Sequence, residues 1–163
     1  SLGRRIAVLD RGRLIQTGSP HEIYDRPATS FVARFVGDPP MNLLPRDLID
    51  DAANGDRRAV SRLGEPVHAP ETVGAGGLGR ILMGIRPEHI EVRRLADAPE
   101  MESGRPVFAA IVDHLEYRGD ATLVRLDLAG ASAVARLFGP PDFRRGESVV
   151  AILDRNRISW FSE

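Results

Sequence analysis

RILMGIRPEHIEVR, residues 80–93, is the stretch on which the fold turns. Ile81, Met83 and Ile85 fall on one face of an extended segment, Pro87 interrupts it, and Ile90 and Val92 resume the alternation against Glu91 and Arg93. The pattern predicts strand, bend, strand. A proline donates no amide to a ladder, which puts the bend at a sheet edge or corner, with Arg86, Glu88 and His89 facing whatever packs there.

Toward the C-terminus, Val107–Glu116 reads as a strand in which Phe108, Ala110 and Val112 alternate with Ala109 and Ile111, both faces apolar enough to be buried. Arg118-Gly119-Asp120 reads as a turn, not an adhesion signal, before Thr122–Leu128, whose Val124, Leu126 and Leu128 alternate with Arg125 and Asp127. Residues 133–138, 148–153 and 158–161 add three further strands, separated by Gly139-Pro140-Pro141 and by Asp154-Arg155-Asn156. Short strands at regular spacing predict a small barrel.

Toward the N-terminus, Ile6–Leu9 and Leu14–Gln16 flank a turn-forming Asp10-Arg11-Gly12-Arg13 and predict a hairpin. Ser19, Pro20 and Glu22 form an S-x-x-E capping box that opens a short helix ended by Pro27. A second helix is predicted over residues 30–36, stopped by Gly37, and Asp38-Pro39-Pro40 form a stiff junction. Two strands and two small helices bury too little to fold alone, so residues 1–37 read as the end of something larger. Beyond Met41 lie turn and strand signals at Asn54-Gly55, residues 59–63, Pro66 and Pro70, and a polar loop is expected over residues 95–105. Gly74, Gly76 and Gly79 spell G-x-G-x-x-G, but a dinucleotide site needs a preceding strand and a following helix, so this run reads as a connector.

Composition removes whole classes of chemistry. The chain has no cysteine, which excludes thiol nucleophiles, disulfides and thiolate metal sites. Every basic residue is arginine, so no phosphate-loop lysine and no Schiff base is available. With 22 basic and 23 acidic residues, no basic run longer than two, and nine aromatic residues reading mostly as core, nucleic acid is not an expected partner. Histidines 21, 68, 89 and 114 are scattered without metal-ligand spacing, and no serine sits in G-x-S-x-G. The carboxylate pair Asp50-Asp51 reads as a solvated loop. No apolar run approaches the roughly 18 residues that cross a bilayer, and the chain is expected to be soluble. Catalytic, cofactor-binding and metal residues are therefore expected to be absent.

Residues 5–42, RIAVLDRGRLIQTGSPHEIYDRPATSFVARFVGDPPMN, resemble the end of the nucleotide-binding domain of an ATP-binding-cassette import ATPase and its passage into a C-terminal extension. Gly12, Gln16, Gly18, Pro20, Tyr24 and Pro27 are among the residues that fall where the carbohydrate-importer branch, typified by maltose and glycerol-phosphate importers, has the same types. GIRPEHI, residues 84–90, resembles that branch's regulatory-domain motif, and VDHLEYRGDATLVRLDL, residues 112–128, resembles the hairpin of the transport-associated OB-like (TOBE) domain. The resemblance implies a mainly β chain, an OB-like (TOBE) small barrel over 38–163, with a short α/β N-terminal piece, 1–37, from the end of a nucleotide-binding domain. It implies a C-terminal fragment with a regulatory and dimerisation role. Gly84, Arg86, Pro87, Glu88, His89, Glu116 and Gly119 are its motif and candidate interface residues.

In the full-length parent the same resemblance implies ATP and magnesium, a homodimer and membrane permease subunits engaged through the nucleotide-binding domain. It also implies a phosphotransferase-system regulator as a further partner, and a cytoplasmic location at the inner face of the cell membrane. The Walker A, signature and Walker B elements of such an ATPase are absent from these 163 residues, so the fragment is not expected to be an enzyme. The alternative is an oxyanion-sensing OB-like domain of the molybdate type.

Overall fold

The structure, a computed structural model, describes residues 4–46, 79–97, 105–128 and 130–163. The expected features at Asp50-Asp51, Asn54-Gly55, residues 59–63, Pro66, His68, Pro70, Gly74 and Gly76, and most of the loop after Asp97, lie outside the described residues.

β1 (Ile6–Asp10) and β2 (Arg13–Gly18) pair antiparallel. Their turn places Arg11 and Gly12 at φ 48° and 80°, the double positive φ that a two-residue hairpin requires and glycine supplies without strain. The capping box forms as expected. The Ser19 hydroxyl accepts from the Glu22 amide at 3.2 Å and the Glu22 carboxylate accepts from the Ser19 amide at 2.7 Å, opening α1 (Pro20–Asp25). Thr29 caps α2 (Ser30–Phe35) through the Val32 amide, and Gly37 leaves that helix at φ 115°. The Gln16 amide ties hairpin to helices, donating to the Arg26 carbonyl and accepting from the Ala28 amide. This piece has a core of its own in Val8, Ile23 and Val32. It also leaves Leu9, Leu14 and Phe35 exposed.

The rest is built from two antiparallel sheets. β4 (Ile81–Ile85) is the centre of three strands, between β3 (Asn42–Pro45) and β10 (Ser159–Ser162). β5 (Ile90–Arg94), β6 (Val107–Tyr117), β7 (Ala121–Asp127), β8 (Ser132–Phe138) and β9 (Ser148–Leu153) form the larger sheet in the order β5-β9-β6-β7-β8. Leu44, Met83 and Ile85 from the first sheet share one buried core with Phe108, Val112, Val124, Leu126, Ala135, Val149 and Leu153 from the second. The expected small barrel is thus two sheets wrapped over a common interior.

Asn42 joins them on one side. Its side-chain amide donates to the Val134 carbonyl at 2.9 Å and the Ile85 carbonyl at 3.2 Å, and accepts from the Val134 amide at 2.7 Å. A side chain here does for β3 and β8 what a backbone pair does within a ladder.

One expectation changes and two gain detail. β4 is buried on both faces, because Leu82 packs with Ala33, Met41 and Phe161 under the N-terminal piece while Met83 and Ile85 fill the barrel. β6 is buried on both faces only at its start, since Ile111 is 49% exposed on the outer surface. A 3₁₀ turn, Leu95–Asp97, opens the expected polar loop.

Candidate functional site

Pro87 starts a 3₁₀ turn, Pro87–His89, that carries the chain from β4 in one sheet to β5 at the edge of the other. The bend lies at a corner, as its missing amide demands. At that corner Arg86 is 2% exposed and reaches away from the barrel into the N-terminal piece. Its guanidinium donates to the carbonyls of Tyr24 (2.7 Å), Val36 (2.5 Å) and Ala33 (3.4 Å). These belong to the last turns of α1 and α2 and the residue after α2, where carbonyls lack a helical donor.

The guanidinium carbon also lies 4.0 Å from the centre of the Tyr24 ring, a cation–π stack. The Tyr24 hydroxyl in turn donates to Glu88 at 2.6 Å. One arginine therefore closes two helix ends, and one tyrosine returns to the acid two residues along. The arrangement is a latch between the two parts of the chain.

Burial pulls the Arg86 guanidinium below its ordinary value, opposed by Tyr24, Glu88 and Asp25. Burial, followed by the Glu88 hydrogen bond and charge, pushes the Tyr24 phenol up to about 12. A folded value above the unfolded 10 means that the Tyr24 contribution is complete below pH 10 and is lost as pH rises toward 12. A difference titration of native protein against Tyr24→Phe is expected to show one phenol ionising near pH 12, accompanied by weakening of the joint. A midpoint at 10 would contradict the latch geometry.

The other residues singled out in the sequence have distinct places. Gly84 is in β4, where an added Cβ would stand 2.6 Å from Met41 Sδ and 2.7 Å from the Phe161 ring, so close packing requires glycine. The His89 backbone is engaged at the corner, its amide donating to the Arg86 carbonyl and its carbonyl accepting from the Asp154 amide, while its buried Nδ1 has no partner among the described residues. Glu116 and Gly119 sit at the β6–β7 turn, away from this cluster in sequence. Glu116 pairs with Arg118 at 2.9 Å, and Arg118 reaches Asp38 in the junction at 3.4 Å, while Gly119 supplies φ 93°. Arg118 is thus the residue of that turn that meets the junction, and sequence reading passed over it as part of a plain turn.

Tyr24 and Asn42 were also unseen as partners. The same holds for Glu163, whose carboxylate accepts from Ser30 at 2.6 Å and from Arg34 at 3.1 Å to fix α2 beside β10. Among the described residues no group of three or more potential metal ligands occurs, and no helix is long and apolar enough to cross a membrane.

Residues 83–161, from the middle of β4 to the end of β10, match the TOBE domain family. The chain carries a TOBE domain. Along its full length this TOBE-bearing chain is similar to the C-terminal part of import ATP-binding subunits. It is 33% identical over 166 residues to the trehalose/maltose import ATP-binding protein MalK of Thermococcus litoralis, a match covering 100% of this chain and 43% of the relative. It is 40% identical over 139 residues to the sn-glycerol-3-phosphate import ATP-binding protein UgpC of Cupriavidus necator, covering 78% of this chain and 37% of the relative. The α-glucoside transport ATP-binding protein AglK of Rhizobium meliloti is 32% identical over 99% of the chain and 42% of its own length. The chain spans about two-fifths of the length of these relatives. A structure of the cytoplasmic molybdate-binding protein ModG aligns over 56% of the chain at TM-score 0.49 and 11% identity, too slight a likeness to argue from.

Proposed function

We propose that this TOBE-bearing chain is the regulatory and dimer-supporting region of the ATP-binding subunit of an importer for sugars or glycerol phosphate. The observation that carries the reading is its similarity, along 99–100% of the chain, to ATP-binding subunits of several such importers. The division into a nucleotide-binding end, 1–37, and a TOBE region, 38–163, is part of the proposal. It is supported by the separate small core of Val8, Ile23 and Val32 and by the exposed Leu9, Leu14 and Phe35, apolar surface suited to a larger body.

In this reading ATP and magnesium are bound outside these 163 residues, by the rest of the parent subunit. The parent dimerises and meets membrane permease subunits at the cytoplasmic face, and a phosphotransferase-system protein is a regulator it could receive. The latch then has a role: it fixes the attitude of the TOBE region relative to the nucleotide-binding end. The molybdate-type alternative draws nothing from the likeness to ModG, which is too slight to argue from.

Two measurements on the pure chain test the proposal. Sedimentation is expected to show concentration-dependent dimers, and an ATPase assay is expected to show no turnover, because a lysine-free chain holds no Walker A loop. Monomers alone at high concentration would move dimer support to the nucleotide-binding part. Measurable ATP turnover would overturn the assignment.

A further inference from the structure

The turn between β8 and β9, residues 141–147 (PDFRRGE), is held in place by Arg94 at the end of β5. Arg94 Nε donates to Glu147 at 2.9 Å, its terminal nitrogens pair with Asp142 at 3.2 Å, and its guanidinium stacks over Phe143 at 5.4 Å. The second Glu147 oxygen accepts from the Arg144 amide at 2.9 Å, the Glu147 amide donates to the Arg144 carbonyl at 3.1 Å, and Gly146 turns the chain at φ 83°. Both acids of the turn are consequently engaged, by Arg94 and by the turn's own backbone.

The side chains of Arg144 and Arg145 are not engaged. Both are exposed, and neither makes a hydrogen bond or ion pair among the described residues. With Arg94 and Phe143 they line an open cavity of about 710 Å³. The lining holds three arginines against two acids, and the two acids already face Arg94. Two adjacent guanidinium forks are left on a turn whose backbone is already ordered.

We propose that this cavity binds a small dianionic oxyanion of the phosphate or phosphomonoester class. A guanidinium fork matches two oxygens of a phosphoryl group, and two forks match its double charge. The ordered turn removes part of the entropy cost of binding, and the volume exceeds what a bare phosphate fills, leaving room for a small organic group. The site is independent of the importer reading, so its failure leaves that reading intact.

The test is calorimetric titration of the full chain with inorganic phosphate and, separately, with glycerol 3-phosphate, at constant ionic strength set by chloride. Saturable one-to-one binding is expected for at least one of them, weakened about tenfold or more in Arg144→Ala/Arg145→Ala and unchanged in Arg118→Ala. The double variant alters only exposed side chains, and its circular dichroism is expected to match the native spectrum. Binding of phosphate or of the phosphomonoester alone would support the site and identify which source it serves. Absence of saturable binding by either, or undiminished binding by the double variant, would overturn the proposal.

Discussion

Arg86→Met is expected to lower stability by about 3 kcal/mol in urea unfolding, the larger of the two effects argued here. Methionine fills much of the same volume and removes the burden of a buried charge, so some compensation is built into the choice. What it cannot replace are the donors. The carbonyls of Tyr24 and Val36 lose their partner outright, while Ala33 retains the Met41 amide. An orphaned buried carbonyl costs about 1–3 kcal/mol. Lysine is expected to rescue little, because one ammonium cannot span two helix ends and lie flat on the Tyr24 ring. A Lys variant as stable as the native chain would mean that charge, not fork geometry, holds the joint.

Asn42→Leu is expected to cost about 2 kcal/mol, again read by urea unfolding. The substitution keeps the volume and leaves the Val134 amide and carbonyl without the partner that joins β8 to β3. Asn42→Asp separates hydrogen bonding from size. Aspartate can still accept from the Val134 amide, but at neutral pH it points a carboxylate at the Val134 and Ile85 carbonyls, where the native residue donates. The Asp variant is expected to be at least as unstable as the Leu variant. If it were native-like, the amide donors would not matter and β3 would be held by packing alone.

The strands and helices were legible because local rules acted on them in agreement. The alternation in residues 81–85 and 124–128, the S-x-x-E box at Ser19 and the glycine at position 12 each match a residue type to the local conformation its position requires. The proline bend at Pro87 was legible as a corner for the same reason. The partners across the joint were not. Arg86 meets residues 50 to 62 positions away, and Asn42 meets Val134 at a separation of 92. Nothing in local periodicity records such distances.

Burial was left open at β4 and overstated at β6 through the same gap. An apolar residue predicts that a face can be buried and does not say what covers it, so Leu82 gained the N-terminal piece as a neighbour while Ile111 is left 49% exposed. The GIRPEHI run could be recognised as a family feature from its letters. Its work in joining α1 and α2 to the barrel required coordinates.

The central claim is that this segment latches the N-terminal helices to the TOBE region, and amide hydrogen exchange on Arg86→Met tests it most directly. Exchange is expected to accelerate at Ile23, Ala33 and Val36, whose amides close the helix turns beside the latch, while Val124 and Val150 in the large sheet keep native protection. Unchanged protection at the helix amides, or an equal loss in the large sheet, would contradict it.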